Sequence, residues 1–165
     1  MGTFTKSGHI AVAVSMFKEI FYLGLGTLPA DYPNKWQIDE EPPPFEPEGD
    51  LILPIGFKVE TLKRYVEERE DGTIEADGKR WKIVDYETPN IYLEFKLDKE
   101  DAELQTIYQT GIYIRTKPKE NLPAGKQYFL PTEIEDRGIL ILGENTRPYV
   151  KNIGEVKTYL TVLQF

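Results

Sequence analysis

With 165 residues, 40% of them apolar and 12% aromatic, the chain is long enough to bury one sizeable core without a metal or a disulfide to hold it. It contains no cysteine, which removes thiolate chemistry, and its net charge of −8 argues against nucleic-acid binding through phosphate neutralisation. No apolar run approaches the roughly 20 residues of a membrane span, and the run Ile10 to Phe17 lacks a signal-peptide cleavage pattern, so synthesis in the cytosol is expected.

The first element is a helix. Ile10, Val14, Phe17 and Phe21 fall on one helical face with Ala13 and Ile20 beside them, and Gly24 and Gly26 end the pattern. Residues 1–28 are therefore read as an N-terminal helix followed by a Gly-rich turn.

Residues 29–54 differ in kind. Seven of the twelve prolines lie here, and between Asp31 and Asp50 seven acids face one base, a net of −6. Pro42-Pro43-Pro44 lacks backbone donors and favours an extended, stiff conformation that cannot enter a sheet interior. Trp36, Ile38 and Phe45 are large apolar residues in this acidic setting. Two readings follow: a long loop folded against its own domain, or an extended arm lying along a partner with Trp36 and Phe45 as anchors.

From residue 55 to the end the pattern is β. Asp71-Gly72 and Asp77-Gly78 are turn dipeptides, and Ile74 and Ala76 with Trp81 and Ile83 suit one face of a hairpin. Ile91, Leu93, Phe95 and Leu97 alternate with Glu94 and Lys96 as in a half-buried strand. Ile107 to Arg115 is a further strand with Gly111 marking a bulge. Ile139 to Leu142 is a continuous apolar run suited to a strand covered on both faces. Val156, Leu160 and Val162 form a last strand ending at Phe165. About seven short strands of this kind predict a mainly β, antiparallel sandwich or barrel-like domain with one N-terminal helix and a Pro-rich extended arm, a single structural domain overall.

Residue types for chemistry are sparse. The single histidine, His9, rules out a two-His metal site, and neither Ser7 nor Ser15 stands in a nucleophile pattern with it. Gly24-Leu25-Gly26 is followed by Pro29 where a dinucleotide loop requires glycine. Asp98, Glu100 and Asp101 offer oxygen ligands without the spacing of a calcium loop. Glu94, on the polar face of its strand, is the carboxylate that a two-carboxylate glycosidase reading would use. No catalytic residue, metal or cofactor is expected.

Three stretches carry a family resemblance: Phe21-Tyr22-Leu23-Gly24-Leu25-Gly26-Thr27 followed by Trp36 and Pro42-Pro43-Pro44; Tyr108-Gln109-Thr110-Gly111-Ile112-Tyr113; and Gly138 to Phe165 with Gly143-Glu144-Asn145. A glycine-punctuated opening, a Trp, a Pro-rich acidic crossing and then a β domain resembles small virion proteins of tailed bacteriophages, nearest to baseplate components of contractile tails. The likeness covers most of the chain in layout, through short motifs. It implies a non-enzymatic structural subunit of the virion tail or baseplate, in several symmetric copies, that contacts other tail or baseplate proteins and copies of itself. The expected contact residues are Trp36, Pro42, Pro43, Pro44, Phe45 and Phe165, and deletion of residues 31–50 is expected to leave a folded domain that no longer assembles. The alternative is a carbohydrate-binding β-sandwich module that uses exposed Trp and Tyr as stacking platforms, and exposure of Trp36 and Trp81 is what discriminates it.

Overall fold

The computed structural model describes all residues from Met1 to Phe165. In chain order the elements are α1 (Lys6–Phe17), β1 (Phe21–Thr27), β2 (Leu53–Val59), β3 (Leu62–Glu68), β4 (Ile74–Ala76), β5 (Lys79–Val84), β6 (Asn90–Leu97), β7 (Thr106–Ile114), β8 (Lys117–Pro118), β9 (Tyr128–Phe129), a 3-10 turn (Pro131–Glu133), β10 (Ile134–Asp136), β11 (Ile139–Val150) and β12 (Lys157–Gln164). Strands hold 45% of the residues against one helix, so the fold is mainly β, and the paired strands run antiparallel. No helix is long and apolar enough to cross a membrane.

The chain divides into two compact units: residues 1–19, 60–95 and 158–165, and residues 20–59 and 96–157. The units change over at 19/20, 59/60, 95/96 and 157/158, because strands distant in sequence pair with one another.

The first unit is built on the sheet β12-β6-β3-β5-β4. Asp77 and Gly78 both take positive φ, 53° and 73°, which matches the right-handed twist of the hairpin they close. Trp81 is 1% exposed and packs with Val66, Tyr92 and Val162. Ile83, expected on the same covered face, is exposed. Ile91, Leu93, Phe95 and Leu97 are all buried, and Tyr92 joins them because β6 is flanked by β12 and β3. Helix α1 begins at Thr5, whose hydroxyl accepts from the Gly8 N–H at 3.1 Å. At its other end Phe17 stacks on Tyr65, with centroids 4.3 Å apart and planes 14° from parallel.

The helix is shorter than its periodicity suggests. Phe21 opens β1, the central strand of the second unit's sheet β11-β7-β1-β2-β9, and ladders to β2 and β7 on both sides override the helical spacing. Gly24 and Gly26 are strand residues, not a helix stop. Gly111 is no bulge either: both ladders of β7 run through it in register, and the irregularities lie at Leu25/Gly26, Leu140/Leu142 and Asn145/Tyr149. Ile139 and Leu142 are 47% and 44% exposed, not covered on both faces, because β11 is the edge strand. A small two-stranded sheet, β10-β8, completes this unit. Twelve short strands replace the seven or so expected, since several are too brief to stand out by alternation.

Candidate functional site

Three glycines from three neighbouring strands of the second unit lie in one row. Gly24 on β1 is opposite Gly111 on β7, which is opposite Gly143 on β11. Adjacent glycines weaken strands, so a row of them signals close approach by another part of the chain. The approaching part is the Pro-rich segment between β1 and β2. A Cβ on Gly24 would meet Leu51 at 2.8 Å and Tyr113 at 2.7 Å, one on Gly111 would meet Leu140 at 2.7 Å and Tyr113 at 3.0 Å, and one on Gly143 would overlap the Phe45 ring. Leu51 is buried, and Phe45 is half-buried against the bare backbone of the edge strand.

A relay of amides ties the segment down. The Ile52 N–H donates to Gln109 Oε1 at 2.9 Å, Gln109 Nε2 donates to Asn145 Oδ1 at 2.8 Å, and Asn145 Nδ2 donates to the carbonyls of Pro43 at 3.0 Å and Pro44 at 3.3 Å. Prolines offer carbonyls but no N–H, so the sheet must supply the donors, and the Asn145 amide does so. Trp36 is 4% exposed; its Nε1 donates to the Thr146 carbonyl at 2.8 Å and its ring meets Tyr108 edge-on at 5.5 Å. At the far end Asp50 accepts from the Tyr113 hydroxyl and from the Leu51 N–H, and pairs with Arg137 at 3.0 Å. Burial, then the hydrogen bond and charge of Asp50, push the Tyr113 hydroxyl well above its ordinary range.

The result is a strap, clamped at both ends. A cavity of about 280 Å³ lies under it, bordered by Trp36, Phe45, Gln109 and Asn145, and a shallower hollow of about 570 Å³ follows its outer side along Pro42–Phe45 and Gly143–Asn145. Its outward ridge consists of Pro43, Pro44 and Pro47 with Glu40, Glu41, Glu46 and Glu48, all exposed.

The expected contact residues are thus partly brought together. Trp36, Pro42, Pro43, Pro44 and Phe45 line one strap, with Trp36 and Phe45 turned toward the sheet and Pro43 and Pro44 toward solvent. Phe165 belongs to the other unit, where its N–H donates to the Pro89 carbonyl. Gln109, Asn145, Asp50 and the glycine row escaped the sequence reading. The legible signal was glycine inside strand-like sequence, at Gly24, Gly111 and Gly143.

Other candidate residues have structural partners. The carboxylates of Asp98 and Asp101 close on the Lys58 ammonium at 3.2 and 2.8 Å, so a protein cation occupies the place considered for calcium. Glu94 accepts from the Tyr92 hydroxyl at 3.0 Å. His9 sits against Phe4, with ring centroids 5.1 Å apart. Trp36 and Trp81 are both buried, so neither is available as a stacking platform for a sugar.

The whole chain, residues 1–165, matches the family model described as baseplate wedge 3 tail fiber network component. The chain belongs to that family. It is a structural component of a phage baseplate, and its surroundings are other tail proteins. No curated protein matches it significantly.

Proposed function

We propose that this baseplate component works by protein–protein assembly in several symmetric copies, taken up after synthesis in the host cytoplasm, with the strap as its principal contact surface. Pro43, Pro44 and the flanking acids form the outer ridge with the half-buried Pro42 beside them, Trp36 and Phe45 hold it in position, and Phe165 marks a second contact. The carrying observation is the amide relay from Ile52 through Gln109 and Asn145 to Pro43 and Pro44. It fixes an irregular, exposed segment before any partner arrives, so little conformational entropy remains to be lost on docking. The sheet beneath the strap is read as barrel-like, a view supported by its three register shifts, since bulges bend strands and increase their twist.

Native mass spectrometry of complexes purified from the protein's source tests this. Recovery in a large particle at fixed multiplicity is expected. Recovery as a free monomer overturns the proposal.

A further inference from the structure

Between β6 and β7 of the second unit the backbone takes up a costly conformation. Ala102 and Leu104 both have positive φ, 52° and 59°, a region that penalises any residue with a Cβ and a bulky one most. Ala102 is buried, and its packing within the chain offsets the strain. Leu104 is 60% exposed, so the chain itself gains nothing comparable from it.

The conformation is nonetheless enforced from several sides. Lys58 holds Asp98 and Asp101, the fully buried Lys151 ammonium donates to the Lys99 carbonyl at 3.0 Å, and the Leu104 N–H donates to the Lys151 carbonyl at 2.9 Å. The last bond sets Leu104 beside the end of β11 and the turn after it, where Val150, Ile153 and Val156 are exposed as well. That turn is fixed in its own right, since Glu155 accepts from the Tyr149 hydroxyl and from the Asn152 N–H. A strained backbone on a rigid frame that displays an aliphatic side chain among others is the signature of a contact surface.

We propose that this corner binds the same corner of a second copy about a two-fold axis, Leu104 of each chain packing on Val150, Ile153 and Val156 of the other. Charge singles out a second copy as the occupant. Residues 98–105 together with Lys58 carry four acids and two bases, a net of −2, whereas residues 147–157 carry one acid and three bases, a net of +2. A two-fold rotation sets each acidic arm against a basic one, so that Glu103, next to Leu104, meets Lys157, next to Val156. A partner of uniform charge would suit one arm and be repelled by the other, while an isologous contact requires a patch that complements itself. No residue of the strap takes part, so this junction between copies is additional to the contact surface proposed above.

Sedimentation equilibrium of the purified full chain tests the junction. A reversible monomer–dimer equilibrium is expected. Leu104→Gly is expected to abolish it with far-ultraviolet circular dichroism unchanged, because glycine takes positive φ without the steric cost. Glu103→Lys or Lys157→Glu alone places like charges opposite each other twice per dimer, and should weaken the dimer about tenfold or more. The double variant Glu103→Lys/Lys157→Glu exchanges the signs and should recover it. A parent chain that stays monomeric at every concentration, a Leu104→Gly chain that dimerises like the parent, or a double variant no tighter than the singles overturns the two-fold contact. Each of these results leaves the strap reading standing or falling on its own test, the recovery of the protein in particles.

Discussion

The Asn145 side-chain amide lies 3.0 Å from the Pro43 carbonyl, and through it one edge-strand residue grips a segment about a hundred positions earlier in the chain. The same side chain accepts from Gln109, so its removal strands polar groups on both sides at once. Asn145→Ala is expected to destabilise the protein by about 1–3 kcal/mol, the usual penalty for unsatisfied partners. Urea unfolding followed by tryptophan fluorescence measures this, and Trp36 is also expected to become accessible to a soluble quencher before the main transition. An unchanged midpoint and unchanged quenching would show that the relay does not hold the strap.

The glycine row makes a second prediction, with its own control. Gly111→Ala places a methyl 2.7 Å from Leu140 and 3.0 Å from Tyr113, so the sheet or the side chains above it must shift. Overpacking of this kind costs about 1–3 kcal/mol. Gly2→Ala meets nothing within 4 Å and is expected to be silent. Equal thermal stability of the two variants contradicts a filled trough above the row.

How much of this was visible in the sequence depends on the range of the interaction. The Asp77-Gly78 hairpin and the alternation from Ile91 to Leu97 were legible because two-residue turns and period-two burial are local properties. Phe21 was misread because its spacing from Phe17 satisfies a helix, whereas its true environment is set by β2 and β7, far along the chain. The exposure of Ile139 and Leu142 was hidden for a related reason: strand order decides which strand is the edge, and no local pattern encodes it. At the site, proline and acid content marked the strap, but not which way its aromatics face. Trp36 turns inward because Thr146 and Tyr108 await it. This also alters the expectation for a deletion of residues 31–50: it removes Trp36, Phe45 and Asp50 from their contacts, so the second unit is expected to lose stability as well as its contact surface.

Lys58 is 3% exposed and holds Asp101, itself buried, together with the exposed Asp98. Asp101 also accepts from the Asp98 N–H at 2.8 Å, so one ion pair organises the loop after β6. Lys58→Met leaves a buried carboxylate without its cation, and breaking such a pair costs about 3 kcal/mol or more. Denaturant titration should show this loss, with partial recovery in Lys58→Met/Asp101→Asn. A single variant as stable as the parent would mean that the pair contributes nothing.

Alkaline pH should act through three tyrosines. Burial, with the Glu94 hydrogen bond, pushes Tyr92 up to about 12; burial raises Tyr113 and Tyr128 further, helped by Asp50 and Asp101 respectively. A hydroxyl with a raised pKa in the folded state stays protonated while the unfolded chain ionises near pH 10. Their contribution to stability is therefore complete below about pH 10 and is lost as pH rises from there through the folded values. In a phenolate absorbance titration, the more exposed of the ten tyrosines should ionise first, and these three only as far-ultraviolet circular dichroism collapses. Titration of all ten as one group with the fold intact would contradict this assignment.

The outward ridge separates folding from assembly. Glu41, Glu46 and Glu48 are exposed, and their carboxylates make no ion pair within the chain. Replacing all three with Gln removes three charges from a segment that is already strongly acidic, without touching Asn145, Trp36 or Phe45. Surface changes of this sort usually alter stability by no more than about 0.5 kcal/mol, and lower self-repulsion favours the docked strap. Incorporation into baseplates is expected to fall, because rim charges govern association rate and partner choice more than they govern folding. The comparison to make is thermal midpoint against particle occupancy for the same variant. If the midpoint holds and occupancy drops, the acids face a partner; if occupancy is unchanged, the ridge is merely solvated and the contact must lie elsewhere, with Phe165 the next residue to test.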